Sequence, residues 1–360
     1  MNRKELYLFF SYLEGIGPTT FYKLKLKLGS IENIFSADKH ILLSLLGTIR
    51  TKQFIDFKNT FDIKKELQSI QTAGITIITQ EDSRFPKILL NIPDTPICLY
   101  VKGNLQKYDF EKDLLIAIVG TRKPTPYGEQ ITRLFASELA QQGVVIVSGL
   151  ALGIDAIAHK ATLDAEVRTI ACFGCGVNIM YPAANRLLYK RILENDGLII
   201  SEFPPNMQAQ PGLFVQRNRL ISGLSKGILV SEGLKDSGSL ITARYAAQQG
   251  KDVFAPPAPI TSEFSEAPNL LLKEGAKLVT ATKDILEEYN LYAETGTKKL
   301  NISHLNPDEQ LIYNLLLKQP LDTDEIARQL TVPIYKILTV ISSLEIKGII
   351  VKKGGMYAIY

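Results

Sequence analysis

Short, uninterrupted apolar runs alternate with longer amphipathic stretches between residues 114 and 255. The runs 114–119, 144–147, 168–173, 198–201, 227–231 and 252–255 each read as a mainly apolar strand. The stretches between them predict helices over 127–142, from the SGLALGID segment at 148 onward, over 183–194, 217–224 and 239–249. Strands buried on both faces and alternating with helices are the pattern of a doubly wound, mainly parallel α/β sheet. In such sheets the turns that leave the carboxyl ends of the strands face the ligand crevice. Here those turns are Gly120-Thr121-Arg122, Ser148-Gly149 through Gly153, Gly174-Cys175-Gly176 and the segment from Ser231 to Ser239.

The flanks follow other periods. Residues 1–60 read as all helical, with Gly15-Ile16-Gly17-Pro18 breaking the first helix before a basic amphipathic stretch carrying Lys23, Lys25 and Lys27. This is either half of a helix-hairpin-helix or a small bundle whose glycines only make turns. Strands at 74–79 and 99–104 are expected to extend the sheet at one edge. Residues 290–305 lack apolar periodicity and read as a linker. Beyond it, helices over 307–317, 323–330 and 333–347 and a hairpin over 349–359 outline a winged helix. The domain reading is therefore 1–62 helical, 63–290 the sheet domain, 291–305 linker and 306–360 winged helix.

At 360 residues the chain is too long for one ordinary core, and with 46% hydrophobic and 22% charged residues it has a globular composition. No apolar run is long enough to span a bilayer and the N-terminus lacks a signal-peptide pattern, so a cytoplasmic protein without a membrane partner is expected. Three cysteines make no disulfide framework. Residues 1–60 hold nine Lys/Arg against five Asp/Glu, which is the whole excess of a chain with net charge +4. That distribution disfavours a protein that coats duplex DNA nonspecifically, because such binding needs many phosphate contacts. It permits a local basic pocket on a neutral body. The third C-terminal helix carries only Lys336, Glu345 and Lys347, so a protein contact or weak DNA binding suits it as well as sequence readout does.

The candidate chemistry is anion binding. Arg122 directly follows a buried strand and reads as a phosphate clamp, the alternative being a structural ion pair. Ser148, Gly149 and Gly153 let backbone approach a ligand at a helix N-terminus. Ser237-Gly238-Ser239 offers hydroxyls and free N–H groups ahead of a helix, as an anion cradle, a simple N-cap, or both. Arg217-Asn218-Arg219 places two guanidinium groups that could both face the crevice. Phe214 and Tyr181 are either base-stacking platforms, a mode suited to single strands, or core aromatics. Asp155 and His159 lie four apart on one helix, but without a G-x-S-x-G elbow they read as a cap and a packed histidine rather than as a hydrolase pair. Cys172 and Cys175 have no second ligand pair, and His40, His159 and His304 are scattered, so no metal site is expected. No dinucleotide fingerprint is present, and no cofactor is expected.

Five segments in order, Gly120-Thr121-Arg122, SGLALGIDAIAH at 148–159, GCGVNIMYPAAN at 174–185, FVQRNRLISGLS at 214–225 and SGSLITARYA at 237–246, resemble the DprA/Smf family. The resemblance covers nearly the whole chain. It implies an extended Rossmann-like domain between a helical (SAM or helix-hairpin-helix-like) domain and a winged helix. It further implies a non-enzymatic, dimeric protein that binds single-stranded DNA, protects incoming strands in natural transformation and loads the RecA recombinase. By the same resemblance the DNA pocket comprises Gly120, Thr121, Arg122, Ser148, Gly149, Gly174, Gly176, Asn185, Phe214, Arg217, Asn218 and Arg219, closed by Ser237, Gly238 and Ser239. The later half of the sheet domain would carry the dimer and RecA contacts. Three positions depart from the family pattern: Ala183 stands where a basic residue is common, removing one phosphate contact, and Pro256-Pro257-Ala258 and Ala267 alter a loop. The competing reading is a nucleotide-binding Rossmann-like enzyme or sensor, phosphoribohydrolase-like, acting on a nucleoside monophosphate. Its Pro-Gly-Gly-x-Gly-Thr-x-x-Glu loop is absent here, where Ser231-Glu232-Gly233 stands instead.

Overall fold

The computed structural model describes residues 1–291, 305–317, 319–347, 349–353 and 355–359. The linker expected over 291–305 falls almost entirely outside them, as does Gly354 of the wing turn. The chain forms two compact units, Met1–Tyr289 and Asn290–Tyr360. Among the described residues no helix is long and apolar enough to cross a membrane.

The first unit begins with helices α1 (Arg3–Tyr12), α2 (Pro18–Leu28), α3 (Ile31–Ser36), α4 (Lys39–Thr60) and α5 (Ile63–Thr72). Phe9, Phe10, Phe21 and Phe54 are completely buried and pack as tilted and edge-on pairs, so aromatic burial holds this layer together. Lys25 does not face outward for a ligand. Its ammonium donates to the Tyr7 hydroxyl at 3.0 Å.

Strands β1 (Thr76–Thr79) and β2 (Cys98–Gly103) lead into the alternating core: β3 (Leu115–Val119), α6 (Pro126–Gln141), β4 (Val145–Ser148), α7 (Ile154–Asp164), β5 (Thr169–Cys172), α8 (Arg186–Glu194), β6 (Leu198–Ser201), α9 (Pro211–Leu224), β7 (Gly227–Val230), α10 (Gly238–Gln248) and β8 (Asp252–Ala255). After α11 (Glu266–Lys273) comes β9 (Lys277–Leu278), a two-residue edge strand beyond the last run expected, and then α12 (Thr282–Glu288). The nine strands lie in the order β1-β2-β6-β5-β4-β3-β7-β8-β9. β6 through β9 in that order pair parallel, while β1 and β2 add an antiparallel edge against β6. The doubly wound expectation and its edge extension therefore hold.

Both faces are covered. Leu115, Ala117 and Val119 of β3 join Leu220 and Leu224 of α9 on one side, and Ile116 and Ile118 join Phe135 and Leu139 of α6 and Ala158 of α7 on the other. That is why the strands read as unbroken apolar runs. The helix expected over 217–224 starts six residues earlier, at Pro211. Proline at a first helical position presents no N–H that the helix would need, so the Pro-Gly pair read as loop is the helix start.

The second unit holds α13 (Pro307–Leu316), α14 (Thr323–Leu330), α15 (Ile334–Ile346) and the antiparallel pair β10 (Ile350–Lys353) and β11 (Met356–Ile359), the winged-helix arrangement. Asn306 and Glu309 form a reciprocal cap on α13. The buried Glu309 carboxylate also accepts from Ser343 Oγ at 2.7 Å and from Lys347 Nζ at 2.6 and 2.7 Å. Those donors, Lys347 first, hold it down to about 2 from an ordinary 4.5. A carboxylate depressed in the folded state stabilises it above the ordinary value and loses that contribution as pH falls through the folded one. Calorimetric unfolding of the full chain is expected to place the C-terminal unit of Glu309→Gln below wild type at pH 7. The gap should close as pH falls from 4.5 toward 2, and a gap independent of pH would show that charge is not what the site uses.

Candidate nucleic-acid site

The order of the strands puts a switch point at β3: the chain leaves it through α6 to β4 on one side, and α9 returns it to β7 on the other. Outside the carboxyl ends of these strands lies an open crevice of about 640 Å³, where doubly wound sheets bind ligands. A slot of about 60 Å³ continues from it beneath Tyr181 and Phe214.

Three turns meet at this point with no room for side chains. Thr121 N–H donates to Glu232 O at 2.8 Å and Ile154 N–H to Thr121 O at 3.1 Å, tying the β3, β7 and α7 turns together. A Cβ on Gly120 would lie 2.7 Å from Glu232 O, and one on Gly153, whose φ is +76°, would lie 2.4 Å from Thr121 O. Glu232, fully buried, accepts from Thr125 N–H at 2.9 Å and from its hydroxyl at 2.6 Å, fixing the start of α6. The outcome is that Arg122 is lifted out of the turn. It is exposed, lines both crevice and slot, and has no ion-pair partner among the described residues.

The same crevice and slot are lined by an aromatic ledge. Tyr181, 44% exposed, stacks on Phe214 with ring centroids 5.2 Å apart and planes 25° from parallel. Phe214 lies on the first turn of α9 and rests against Gly174, where a Cβ would be 2.8 Å from its ring. The far wall is the start of α10: Ser237 caps Ser239 N–H at 3.2 Å and the two hydroxyls share a hydrogen bond of 2.7 Å. Asn218 reaches Gly238 O at 3.4 Å. Gly120, Thr121, Arg122, Phe214, Arg217, Asn218, Ser237, Gly238 and Ser239 thus line the crevice, with Gly149 and Gly174 in the slot.

Other expected site residues point elsewhere. Arg219 does not share the crevice with Arg217: two residues on an α-helix are turned roughly 200° apart. Its buried guanidinium pairs with Asp94 at 2.9 Å and with Glu202. Ser148 is buried and donates to Ile118 O at 2.7 Å, and Asn185 is buried and donates to Leu150 O and Ala151 O, so each shapes a turn instead of offering a free group. Gly176 is pressed against Asn206 N and Pro204 O. Gly153 serves the close turn packing described above.

His159 is the packed, hydrogen-bonded histidine expected, but Asp155 does not cap α7: the N-cap position is Gly153, with no side-chain cap, and Asp155 lies in the first turn and bonds the preceding turn instead. The Asp155 carboxylate accepts from Gly149 N–H at 3.1 Å and Ala151 N–H at 3.3 Å. The turn's donors are therefore taken by the chain itself, which the expectation of a free backbone cradle missed. His159 is buried against Thr169 Oγ1 at 2.8 Å, and burial pushes it down to about 3, so it stays neutral. Burial pushes the Cys172 and Cys175 thiols up to about 12 and about 11, away from the thiolates that metal binding or redox work uses. Lys235 is a lining cation that sequence reasoning passed over. A lone lysine in a loop carries no pattern by which to find it. In the second unit the third helix, α15, exposes Ile334, Tyr335 and Leu338.

Comparison with known proteins matches this framework. A family model described as DNA recombination-mediator protein A matches residues 76–290, and one described as the DprA winged helix domain matches 297–356. Protein Smf of Escherichia coli is 38% identical over 319 residues, covering 86% of this chain and 84% of that protein. The DNA processing protein DprA of Streptococcus pneumoniae is 40% identical over 227 residues, 63% of this chain and 77% of that protein. The X-ray structure of S. pneumoniae DNA processing protein A superposes with TM-score 0.69 at 32% identity, covering 80% of this chain and 99% of that one. A structure of Helicobacter pylori DNA processing protein A, described for its single-stranded DNA binding mode, superposes with TM-score 0.54 at 33% identity, covering 61% and 97%.

Proposed function

Because the chain belongs to the DNA recombination-mediator protein A (DprA/Smf) family, we propose that it binds single-stranded DNA in the crevice at the β3 switch point. On this reading it protects the strand and delivers it to a RecA-type recombinase during DNA uptake and recombination, acting in the cytoplasm as a homodimer joined through the sheet domain and without catalysing a reaction.

One juxtaposition carries the proposal: an exposed, unpaired arginine beside a stacked aromatic pair at the mouth of a crevice formed by helix starts. Unstacked bases have π-faces for Tyr181 and Phe214, and the phosphate between them suits Arg122. A duplex hides its base faces, so the ledge selects single strands. The related H. pylori protein binds single-stranded DNA, which supports the same ligand here. What supports binding without catalysis is that Glu232, the carboxylate of the Ser231-Glu232-Gly233 stretch that stands in place of the cleaving relatives' loop, has both oxygens committed to Thr125.

Two exposed cations, Arg122 and Lys235, line the crevice. Fluorescence anisotropy with labelled oligonucleotides is expected to show single strands bound at least tenfold tighter than duplex of equal length. The log–log salt slope should be about −1.4 per crevice, at ~0.7 per neutralised phosphate of a single strand. Equal affinity for the two forms would sink the reading.

A further inference from the structure

At the crevice a second arginine is present whose guanidinium is bonded within the chain. Arg217, 5% exposed, lies three residues beyond Phe214 on α9 and lines both crevice and slot. Its Nη1 donates to Gly149 O at 2.7 Å and to Cys172 O, and its Nε to Asn218 Oδ1 at 3.3 Å. Nη2 has no protein acceptor among the described residues. Asp155, 7% exposed, lines the same crevice and holds the N–H of Gly149, whose carbonyl Arg217 holds. One residue is therefore gripped from both sides by opposite charges.

We propose that Asp155 is an affinity-setting residue: its carboxylate occupies the N–H groups of the 149–151 turn and cancels the charge of Arg217, so that the crevice offers a strand one phosphate contact fewer than its residues could supply. Three observations support this. The two turn N–H groups that an oxyanion would need are already bonded to Asp155. The charged residues lining the crevice balance, with Arg122, Arg217 and Lys235 against Asp155, Asp236 and Glu266. Arg217 keeps a donor corner unspent, which is what a phosphate oxygen would take once the competing carboxylate charge is gone. Holding the floor neutral keeps the crevice from retaining phosphate-rich ligands through charge alone. Selection is left to the aromatic ledge, which suits a protein that must release its strand.

The inference rests on the single-strand reading, and the test separates the two. Asp155→Asn keeps the shape and one acceptor but removes the charge. In the full chain at 0.1 M salt it is expected to bind a labelled single strand about fivefold more tightly than wild type, with a salt slope steeper by about 0.7, the increment for one added phosphate. An unchanged slope in a folded variant overturns the inference while leaving single-strand binding by wild type intact; failure of wild type to bind overturns the reading beneath it. Should the single variant not fold, the neutral pair decides. Arg217→Gln alone leaves Asp155 uncompensated and is expected to weaken binding severalfold, and adding Asp155→Asn to it is expected to restore the loss. Absence of that rescue would mean that Arg217 contacts phosphate directly in wild type, contrary to the proposal.

Discussion

Replacing Arg122 and Phe214 together with alanine is expected to weaken single-strand binding by about a hundredfold or more, with the two halves of the loss separable in one experiment. Phe214 supplies a stacking face, worth roughly 1–3 kcal/mol per base. Arg122 supplies a charge-assisted contact of roughly 1.5–3 kcal/mol. Together these make roughly 2.5–6 kcal/mol, or about two to four orders of magnitude. Their salt signatures differ: Arg122→Ala should flatten the slope by about 0.7, because one phosphate goes un-neutralised, whereas Phe214→Ala should lower affinity at every salt concentration with the slope unchanged. Neither side chain bears on the core. Arg122 is exposed without an ion-pair partner among the described residues, and Phe214 is half-buried on the first turn of α9. Circular dichroism should therefore match wild type. Retention of tight binding by the double variant would place the strand elsewhere on the molecule.

The sheet was legible because its strands are buried on both faces, which leaves no polar position to interrupt them. Leu198–Ser201, buried throughout, was read to the residue for that reason; Asp252–Ala255 was read to the residue although Asp252 is exposed, because Val253-Phe254-Ala255 carries the apolar run. The site was half legible. Gly120-Thr121-Arg122 follows a strand of unmistakable pattern, and a turn there must face the switch point. Arg219 went wrong because adjacency in sequence is not adjacency on a helix: with the start of α9 read at 217, the residues Arg217-Asn218-Arg219 looked like one presenting segment, whereas a helix already running from Pro211 sends 217 and 219 to opposite sides. The anion cradle at 148–153 was misjudged for a different reason. Its backbone N–H groups are real, but whether they are vacant depends on where the Asp155 side chain settles, and that is fixed only once α7 packs against β3 and β4. Asp155 was expected to cap α7; instead it accepts from Gly149 N–H and Ala151 N–H of the preceding turn, and that this removes the cradle follows from counting donors in three dimensions. Glu232 contacts Thr125, 107 residues away, and Lys235 reaches Glu266, 31 residues away, and no local pattern announces either.

A close approach at the same turns bears a large expected effect on stability. Gly153 sits at φ +76°, a conformation that side-chain-bearing residues rarely adopt, and its missing Cβ would lie 2.4 Å from Thr121 O and 2.6 Å from the Arg122 carbonyl carbon. Both are main-chain atoms, and they cannot retreat: Thr121 O accepts from Ile154 N–H and Thr121 N–H is held by Glu232 O. Gly153→Ala therefore adds backbone strain to a clash that only displacement of the β3 turn can relieve. The expected cost is roughly 4 kcal/mol or more, in the range reserved for a few severe mechanisms, with a fall in Tm of about 7 °C or more for a unit of this size. Gly143→Ala isolates the two contributions. Gly143 also has positive φ, +83°, but nothing lies within 4 Å of its Cβ position, so it should lose only the strain, roughly 1–2 kcal/mol. Calorimetric unfolding of the two variants side by side measures the difference, and equal melting temperatures would mean that the β3 turn yields freely. If it does not yield, the same rigidity explains why Arg122 is presented in the crevice that the aromatic ledge lines: the turn that carries it is bonded to both the β7 and α7 turns.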